Sequence, residues 1–484
     1  MRCGMLSCVL EENIKKARQI FAIGESFDYI ERNLFLGSTK AYLLTINGFA
    51  QTVVLQRIIS DLQNCSFVKD DSIKNCRKYV NSCIGYAQVE FVSDWNRIER
   101  MLLSGTCLLL FDGCSEGIIM DTRAYPVRGT EEPDTEKVTR GAKDGFVENF
   151  LVNTTLIRRR IRNPRLTFSL QTVGTDSKSD VVIAYIGGKV KPELVNRLKE
   201  KISSLQVTSL TLGIKTLEEL LAPRSFLHPL PGAHFTERPD VACSFLEEGY
   251  IVLLADNSPM AMILPCSVFQ FMQSPEDYYK SPPVGNYIRL IRFGCAVLCL
   301  LLLPCLLLFG VHFRLPEAFD VLVTAEVPPL KLFILVLAME VGLELFRYAT
   351  SHTSDRFAGA LSIVGGLIIG EVAIDLNWAT PEILFYGAAT MLVTLALPSL
   401  EFAEGLRIYR IFLCILTWLF GGAGLAAGLA LVMISAATTP TVLGTSYLWP
   451  LFPFHGKALA SLLWRRHTRN AQPIRNNGKP KIKK

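Results

Sequence analysis

The stretch KAYLLTINGFAQTVVLQRIISDLQ, residues Lys40–Gln63, decides the fold of the first half of the chain. Its opening residues are apolar and suit a strand, and the pair Asn47-Gly48 favours a turn. Apolar residues then recur at helical spacing. The stretch therefore predicts a strand, a turn and an amphipathic helix. The same order recurs in SDVVIAYIGGKVKPELVNRLKEKISSLQ, residues Ser179–Gln206, which turns at Gly187-Gly188.

An apolar hairpin follows each of these two stretches. The first, GTCLLLFDGCSEGIIMDTRAYP, turns at Asp112-Gly113, and the second, GYIVLLADNSPMAMILPCSVF, turns at Asp256-Asn257. Such pairs tolerate the positive φ that a tight hairpin requires. Because strand, helix and hairpin occur twice in the same order, we predict two similar α/β subdomains. They cover residues 24–138 and 167–285.

A basic linker helix is predicted between the subdomains, over residues 139–166. Its sequence includes GFVENFLVNTTLIRRRIRNPRL, in which Asn163-Pro164 ends the helix. Apolar side chains recur at helical spacing, and Thr154 completes the stripe that is formed by Phe146, Phe150, Ile157 and Ile161. The helix also carries five arginines: Arg158, Arg159, Arg160, Arg162 and Arg165.

The five arginines allow several interpretations. We predict that they contact either an acidic surface of a neighbouring subunit or phospholipid headgroups. A plain solvated basic end of the helix is the alternative to both. Nucleic acid is the weaker interpretation, because no aromatic or glycine-rich RNA-binding signature accompanies the cluster.

Patterns that indicate catalysis or metal binding are missing from the sequence. It contains no GxSxG, Walker or HExxH motif, so we predict no catalytic residue and no enzyme activity. Its 13 cysteines and six histidines show no ligand spacing. We therefore expect no metal site, no cofactor and no disulfide framework.

Half of the 484 residues are hydrophobic, and the apolar residues concentrate after residue 286. Several apolar runs there have the length that a helix needs to cross about 30 Å of hydrocarbon. We therefore predict a helical transmembrane domain of four to five spans over residues 286–456. Its candidate spans are Phe293–Phe313, Leu330–Phe346, Phe357–Leu376, Pro381–Leu400 and Ile408–Ile434. A last stretch, broken by Pro450 and Pro453, is predicted to be interfacial or re-entrant.

The number of true spans stays open, and it decides the side of the tail. A four-span arrangement leaves out the second segment, Leu330–Phe346, because it is short and carries two acids. Residues 457–484 hold nine lysines and arginines and no acid, which is typical of a cytoplasmic tail. Four spans place this tail inside, and five place it outside. The chain opens without the pattern of a signal peptide, so we expect its soluble half in the cytoplasm.

Four acids fall within the predicted spans: Glu340, Glu344, Glu371 and Asp375. The members of each pair lie one helical turn apart on one face. A carboxylate that faced lipid would cost several kcal/mol, so we predict that these acids line an ion path. Internal pairing, for instance of Glu344 with Arg347, or placement at the interface is the alternative. Gly365-Gly366 is predicted to pack against another helix or to flex in a gate.

Five stretches of the sequence form a specific set: TRGAKDGFVENFLVNTTLIRRRIRNPRL, TERPD, SPEDYY, LSIVGGLIIGEVAID and GTSYLWPLFPF. They resemble the GerA family, the membrane A subunits of bacterial spore germinant receptors, and they stand in the family's order. The similarity runs from about Gly24 to about Pro453. Within the family, HTS and PEILFYGAATMLVTLALPSLEFAEGLRIYR look most like the sporulation AF subgroup.

The resemblance implies a location, partners and an activity. Such A subunits sit in the inner membrane of the dormant spore, form ring-shaped homo-oligomers in contact with phospholipid, and work with small germination membrane proteins. We therefore predict a subunit of an oligomeric, cation-permeable channel that releases ions during germination. Around a ring, Glu340 and Glu344 would form a negative collar that favours cations. Relatives often carry glutamine at the position of Glu371, which weakens that residue as a fixed functional acid.

Two other functions compete with the channel. The first alternative is a non-conducting scaffold or signalling subunit of the germination machinery, in which the acids only pair inside the bundle. A secondary transporter is the weaker alternative, because five unequal segments give little sign of inverted repeats.

Overall fold

The structure is a computed structural model of the chain. It describes residues 4–36, 39–64, 76–86, 88–125, 136, 141–222, 227–312, 327–351, 374–375 and 380–464. These residues divide into two compact units. The α/β unit comprises the described residues up to 222 together with 233–265, and the helical unit comprises 227–232 together with 266–464.

The α/β unit contains two antiparallel sheets of five strands each. The first sheet consists of β1 Tyr29–Leu36, β2 Thr39–Ile46, β3 Val89–Val92, β4 Cys107–Phe111 and β5 Gly117–Met120. The second consists of β6 Leu166–Val173, β7 Ser179–Ile186, β8 His234–Thr236, β9 Ile251–Ala255 and β10 Ala261–Leu264. Their strand orders are β1-β2-β4-β5-β3 and β6-β7-β9-β10-β8. Because these orders are equivalent, the predicted repetition is confirmed at the level of the sheets.

Helices complete the repetition. The first copy contains α1 Leu10–Phe21, α2 Thr52–Asn64, α3 Cys76–Cys83 and α4 Trp95–Leu103. The second contains α5 Phe150–Arg160, α6 Pro192–Ser203, α7 Ile214–Leu221 and α8 Pro239–Glu248. The basic helix, α5, is therefore the first helix of the second copy, as α1 is of the first. It is shorter than the predicted 139–166, because the Asn149 side chain caps its start by accepting from the Leu151 amide at 2.9 Å.

One buried side chain marks the equivalence of α1 and α5. Asn13 and Asn153 are each the fourth residue of their helix, and they are 2% and 0% exposed. Asn13 accepts from the Ser7 amide at 3.0 Å and donates to the Ser7 carbonyl at 2.7 Å. Asn153 makes the same two bonds with Val147, at 2.9 and 2.5 Å. The two copies therefore share local structure as well as strand order.

Apolar residues cover both faces of the central strands. On β2, Tyr42 packs into one buried cluster with α1 and α4, whereas Leu43 packs into another with α2 and α3. On β7, Val182 and Ala184 pack against α5 and α8. Because such strands are buried on both sides, they appear in the sequence as continuous apolar runs rather than as an alternation.

The described helices of the helical unit are α9 Glu276–Tyr279, α10 Pro282–Leu307, α11 Pro329–Ser351, α12 Pro381–Leu395, α13 Leu400–Thr438 and α14 Gly456–Leu463. A 3₁₀ turn, Val268–Met272, precedes them, and a π-helical turn, Leu308–His312, continues α10. Two helical stretches in the described residues, Pro282–His312 and Leu400–Thr438, are long and apolar enough to cross a membrane. The helix α12 is apolar but shorter.

The helix α13 folds back on itself at Gly421. The backbone of Gly421 is not helical, with φ of 60° and ψ of −138°. Beyond it the chain returns antiparallel, since the Tyr409 hydroxyl lies 2.7 Å from Ser435 Oγ. A Cβ on Gly424 would clash with the carbonyl oxygen of Leu416, so the two arms approach each other through the glycines of GGAGLAAG.

The arms of this helical hairpin cover residues 400–420 and 422–438. The predicted span Ile408–Ile434 is therefore wrong as a single segment, because its middle is the turn of the hairpin. The apolar pattern did not indicate the turn, since glycines that form it also suit close packing of a straight helix.

The helical unit has two ends. At the tip end, Phe333 of α11 stacks on Trp418 at 4.5 Å, and His312 Nε2 lies 3.2 Å from the Trp418 carbonyl oxygen. At the base end, the Val268 amide donates to the Tyr447 carbonyl at 3.0 Å. The helix α10 runs from the base to the tip, and α11 and α12 each run from the tip to the base. The first arm of α13 runs from the base to the tip, and its second arm runs back to the base. The first and last described segments of the unit therefore lie at the same end.

Residues 227–232 lie between α7 and β8 in the sequence but belong to the helical unit, and we call them the strap. The Leu227 carbonyl accepts from Ser435 Oγ at 3.0 Å, and His228 Nε2 lies 3.0 Å from Thr438 Oγ1. Leu230 is buried among the helices. The chain therefore leaves the α/β unit after α7, packs on α13, and returns at β8.

Candidate functional site

Six charged side chains meet inside the helical unit, and we call them the charged cluster. The helix α11 contributes Glu340, Glu344 and Arg347, and α13 contributes Glu404, Arg407 and Arg410. Within each helix the members are three or four residues apart, so they share one face. Three carboxylates therefore stand against three guanidinium groups, and their formal charges cancel.

Glu340 is the centre of the charged cluster. Its side chain is 1% exposed, and its two oxygens accept from Arg410 Nε at 2.6 Å and Nη2 at 2.8 Å. Arg407 donates to Glu340 Oε2 at 3.1 Å and to the Glu340 carbonyl at 2.7 Å. Arg410 also donates to the Cys299 carbonyl of α10 at 2.8 Å. These contacts tie three helices together.

The opposite side of the charged cluster is open. Glu344 pairs with Arg347 at 2.7 Å and also with Arg407, while Arg347 reaches Glu404 at 2.7 Å. The side chains of Glu344 and Glu404 are 38% and 49% exposed. The charged cluster is therefore buried around Glu340, whereas the carboxylates of Glu344 and Glu404 are exposed on the surface of the single chain.

These contacts bear on the predicted ion path. Both Glu340 and Glu344 make internal pairs, including the pair of Glu344 with Arg347, and the cluster presents no net negative charge in this arrangement. A role in ion passage stays a prediction for both acids. Asp375 is exposed. Glu371 and the pair Gly365-Gly366 lie outside the described residues.

Sequence reasoning did not identify the partners that α13 contributes to the charged cluster. A signal is nevertheless present, because Glu404, Arg407 and Arg410 recur at a spacing of three in an apolar run. Charged side chains on an apolar helix need partners of opposite charge. In this cluster α13 carries one acid and two arginines, whereas α11 carries two acids and one arginine.

In the α/β unit, Arg158 of α5 is fully buried. It donates to Asp28 Oδ2 and to the Leu166 carbonyl, both at 2.8 Å, and its guanidinium lies over the rings of Tyr29 and Phe168. Asp28 belongs to the first copy and Leu166 to the second, so the pair joins the two copies. The predicted contact with a subunit or lipid therefore does not hold for Arg158, because its side chain is 1% exposed.

The other arginines of this segment differ in their surroundings. Arg160 pairs with Asp144 at 2.5 Å, and Arg159 lies over the Tyr125 ring at 4.6 Å. The exposed members are Arg159, Arg162 and Arg165. For these three, contact with a neighbouring subunit or with lipid stays a prediction.

Cys83 and Cys114 each take part in a disulfide bond. Both lie in the buried cluster that α2 and α3 form with the first sheet. The sequence pattern did not indicate disulfide bonding at these positions, because the two cysteines have no motif spacing. The expectation of no disulfide framework is therefore wrong for Cys83 and Cys114.

The identity of the chain follows from its comparison with known proteins. The profile of the family described as Bacillus/Clostridium GerA spore germination protein matches residues 16–475. The chain belongs to the GerA family. This confirms the resemblance that the five sequence stretches carry, and it makes the chain a spore germination subunit of that family.

GerA family relatives cover most of the chain. Stage V sporulation protein AF of Bacillus subtilis (strain 168) is 34% identical over 452 residues, which are 93% of this chain and 90% of that protein. Spore germination protein GerLA of Bacillus cereus is 31% identical, over 76% of this chain and 75% of that protein. A crystal structure of the N-terminal domain of the A subunit of the Bacillus megaterium spore germinant receptor GerK3 is 24% identical. It covers 54% of this chain and 97% of that chain, with a TM-score of 0.43.

Two of the stretches that resemble the GerA family contain buried arginine–carboxylate anchors. In TERPD, Arg238 is fully buried, pairs with Asp240 at 2.9 Å, and donates to the carbonyl oxygens of Glu136 and Ala142 at 3.1 and 2.8 Å. In SPEDYY, Asp277 pairs with an arginine of α10. The contacts of TERPD hold the segment before α5 against the second sheet, so this motif supports the fold.

Proposed function

We propose that this GerA family chain is the subunit of an oligomeric, cation-permeable channel of the spore inner membrane, which releases ions during germination. The charged cluster is the observation that carries the proposal. It places six charges among helices that are otherwise apolar, where each charge is costly to keep. Membership of the GerA family supports a role in germination, and the charged cluster supports the conduction of cations.

The charged cluster fits a gated path. Its six charges cancel while α11 and α13 are in contact, so the path is not negative in that state. We propose that opening separates the two helices at the exposed side and frees the carboxylates of Glu344 and Glu404. Repeated around a ring, these carboxylates would favour cations. Glu340 acts as a positioning residue, because it holds both arginines of α13.

The course of the helices supports an even number of membrane crossings. The helical unit begins and ends at its base, and the hairpin of α13 adds a crossing that a single fifth span lacks. We propose that the base faces the cytoplasm, with the soluble half and the basic tail on that side.

The proposed partners are other copies of the chain, small germination membrane proteins and phospholipid, and nucleic acid is not among them. The exposed arginines suit contact with an acidic surface of a neighbouring copy; they are Arg159, Arg162 and Arg165. A non-conducting scaffold would share all of these partners. It differs from the channel only in ion flux.

Potassium release from liposomes tests the channel against the scaffold. Wild-type protein, purified with its small partner co-expressed, is compared with Glu344→Gln and Glu404→Gln. Gly342→Ala is the matched control, because a Cβ there meets nothing within 4 Å. We expect release from wild type and control, and a several-fold slower release from the two acid variants. Intact oligomers that release no potassium in any preparation would favour the scaffold.

A further inference from the structure

The start of α10 holds a second group of buried charges. Arg289 and Arg292 both approach Asp277 of α9, and the three side chains are 1%, 8% and 1% exposed. Arg292 donates to Asp277 from both Nη atoms, and to the Met272 carbonyl at 3.1 Å. Within the described chain, Asp277 is the one carboxylate at ion-pair distance from these arginines. One buried positive charge therefore stays unbalanced.

Arg289 carries that excess charge. Its Nη1 donates to the Leu462 carbonyl of α14 at 2.9 Å. Its Nε stands 3.6 Å from Asp277, which is too far for a hydrogen bond, and neither Nε nor Nη2 has a hydrogen-bond partner. Burying a charged donor without an acceptor is unfavourable. A buried cation with two free donor atoms indicates a place for an anion.

The surroundings of Arg289 favour a phosphate group as this anion. A guanidinium fork matches the oxygen geometry of phosphate. Tyr287 and Trp464, each 65% exposed, stand close to Arg289 and Leu462 in the sequence, and such residues concentrate at membrane–water interfaces. Leu290 and Val297 are 66% and 56% exposed, so an apolar surface for acyl chains continues along α10.

We propose that Arg289 is the centre of a phosphate-binding site formed by α9, α10 and α14, and that the phosphate belongs to a phospholipid headgroup. Free inorganic phosphate has the same chemistry and is the other source. The phosphate accepts from the two unpaired atoms and balances the excess charge, while Asp277 keeps Arg292 in place. The last turn of α14 covers the guanidinium, so it shifts as the phosphate enters. The site requires that the helical unit lies in a bilayer, but it does not depend on ion conduction.

Thermal unfolding of the full chain in detergent tests the site. The probes are phosphatidylglycerol in mixed micelles, diacylglycerol with the same acyl chains but no phosphate, and inorganic phosphate at constant ionic strength. We expect phosphatidylglycerol to raise the wild-type Tm by several degrees and diacylglycerol to leave it unchanged. A rise with the lipid alone assigns the headgroup, and a rise with inorganic phosphate as well assigns a general phosphate site.

Variants separate this site from general effects of lipid. Arg289→Gln should lose the rise with phosphatidylglycerol, Arg289→Lys should keep part of it, and Arg57→Gln, at an exposed position of α2, should keep all of it. The proposal is overturned if wild type does not respond, if diacylglycerol acts equally, or if wild type and Arg289→Gln respond alike. Should Arg289→Gln fail to fold, the Arg289→Lys variant and the comparison of the two lipids on wild type decide the matter.

Discussion

Arg158 and Asp28 stand 130 positions apart in the sequence, yet they form one buried ion pair. Their side chains are 1% and 4% exposed, so water solvates neither charge. A buried pair adds little net stability, but the loss of one partner leaves the other charge uncompensated. The pair therefore specifies how the first copy docks on the second. No local pattern predicts this, because the partner of Arg158 lies in another subdomain.

Removing one partner of this pair should destabilise the α/β unit strongly. Arg158→Ala leaves Asp28 buried and unpaired, which typically costs about 3–5 kcal/mol. Arg162→Ala, at an exposed position, should change the free energy of unfolding by less than about 0.5 kcal/mol. Urea unfolding of the full chain in detergent, followed by circular dichroism, measures both. Equal midpoints for the two variants would contradict the structural role of Arg158.

His234 should make the stability of the α/β unit depend on pH. Burial lowers the pKa of this imidazole from 6.5 to about 4. Above pH 6.5 the ring is mostly neutral in the folded and the unfolded chain. As the pH falls from 6.5 towards 4, only the unfolded chain takes up a proton, so stability decreases, by about 2–3 kcal/mol at pH 4.5.

A His234→Phe variant should lack this component of the pH dependence. The measurement is the free energy of unfolding of wild type and variant at pH 7 and at pH 4.5. We expect wild type to lose more stability than the variant on acidification. A difference between the two proteins that stays constant with pH would show that His234 does not titrate in this range.

The elements of the chain differ in how far the sequence predicts them. The hairpin turns at Asp112-Gly113 and Asp256-Asn257 lie where turn chemistry places them, between β4 and β5 and between β9 and β10. The hairpin of α13 is harder to predict, because one positive φ at Gly421 decides whether a mostly apolar stretch of 39 residues forms one helix or two arms. The strap shows no periodicity, and its partners on α13 lie more than 200 residues away.

The strap should loosen when Gly405 of α13 gains a side chain. A Cβ there would lie 2.8 Å from the Pro229 carbonyl oxygen and 3.0 Å from Leu230 Cδ2, so backbone has to move. Gly342→Ala places its Cβ in open space and should be neutral or stabilising by up to about 1 kcal/mol. Hydrogen exchange of residues 227–232 should be faster in Gly405→Ala and unchanged in Gly342→Ala. Equal protection in both variants would show that the strap does not depend on this contact.

At the scale of the whole molecule, the chain joins a duplicated α/β unit to a helical unit that starts and ends at its base. The duplication is predictable because each copy keeps its own strand, turn and hairpin signals. The side of the membrane on which the tail lies is not predictable from the sequence, because the number of crossings depends on the turn at Gly421. The charged cluster needs the tertiary contact of α11 with α13, which the spacing of Glu340 and Glu344 alone does not reveal.

Tags at the two ends of the chain should lie on the same side of the membrane. One tag is placed before Met1 and the other after Lys484, and protease is added to sealed vesicles of known orientation. The proposed even number of crossings predicts that both tags are cleaved together or protected together. Cleavage of one tag and protection of the other would contradict the proposed course of the helices.

The ion selectivity of the reconstituted protein tests whether the charged cluster lines a cation path. Under a potassium chloride gradient, wild-type oligomers should show a reversal potential on the cation-selective side. Glu344→Gln should move this potential towards zero. Glu340→Gln should instead lower the Tm, because it removes the carboxylate partner of the buried Arg410 and leaves Arg407 with Glu344, while oligomers that do assemble keep their selectivity. A Glu344→Gln oligomer that is intact and as selective as wild type would contradict the claim that the charged cluster lines the cation path.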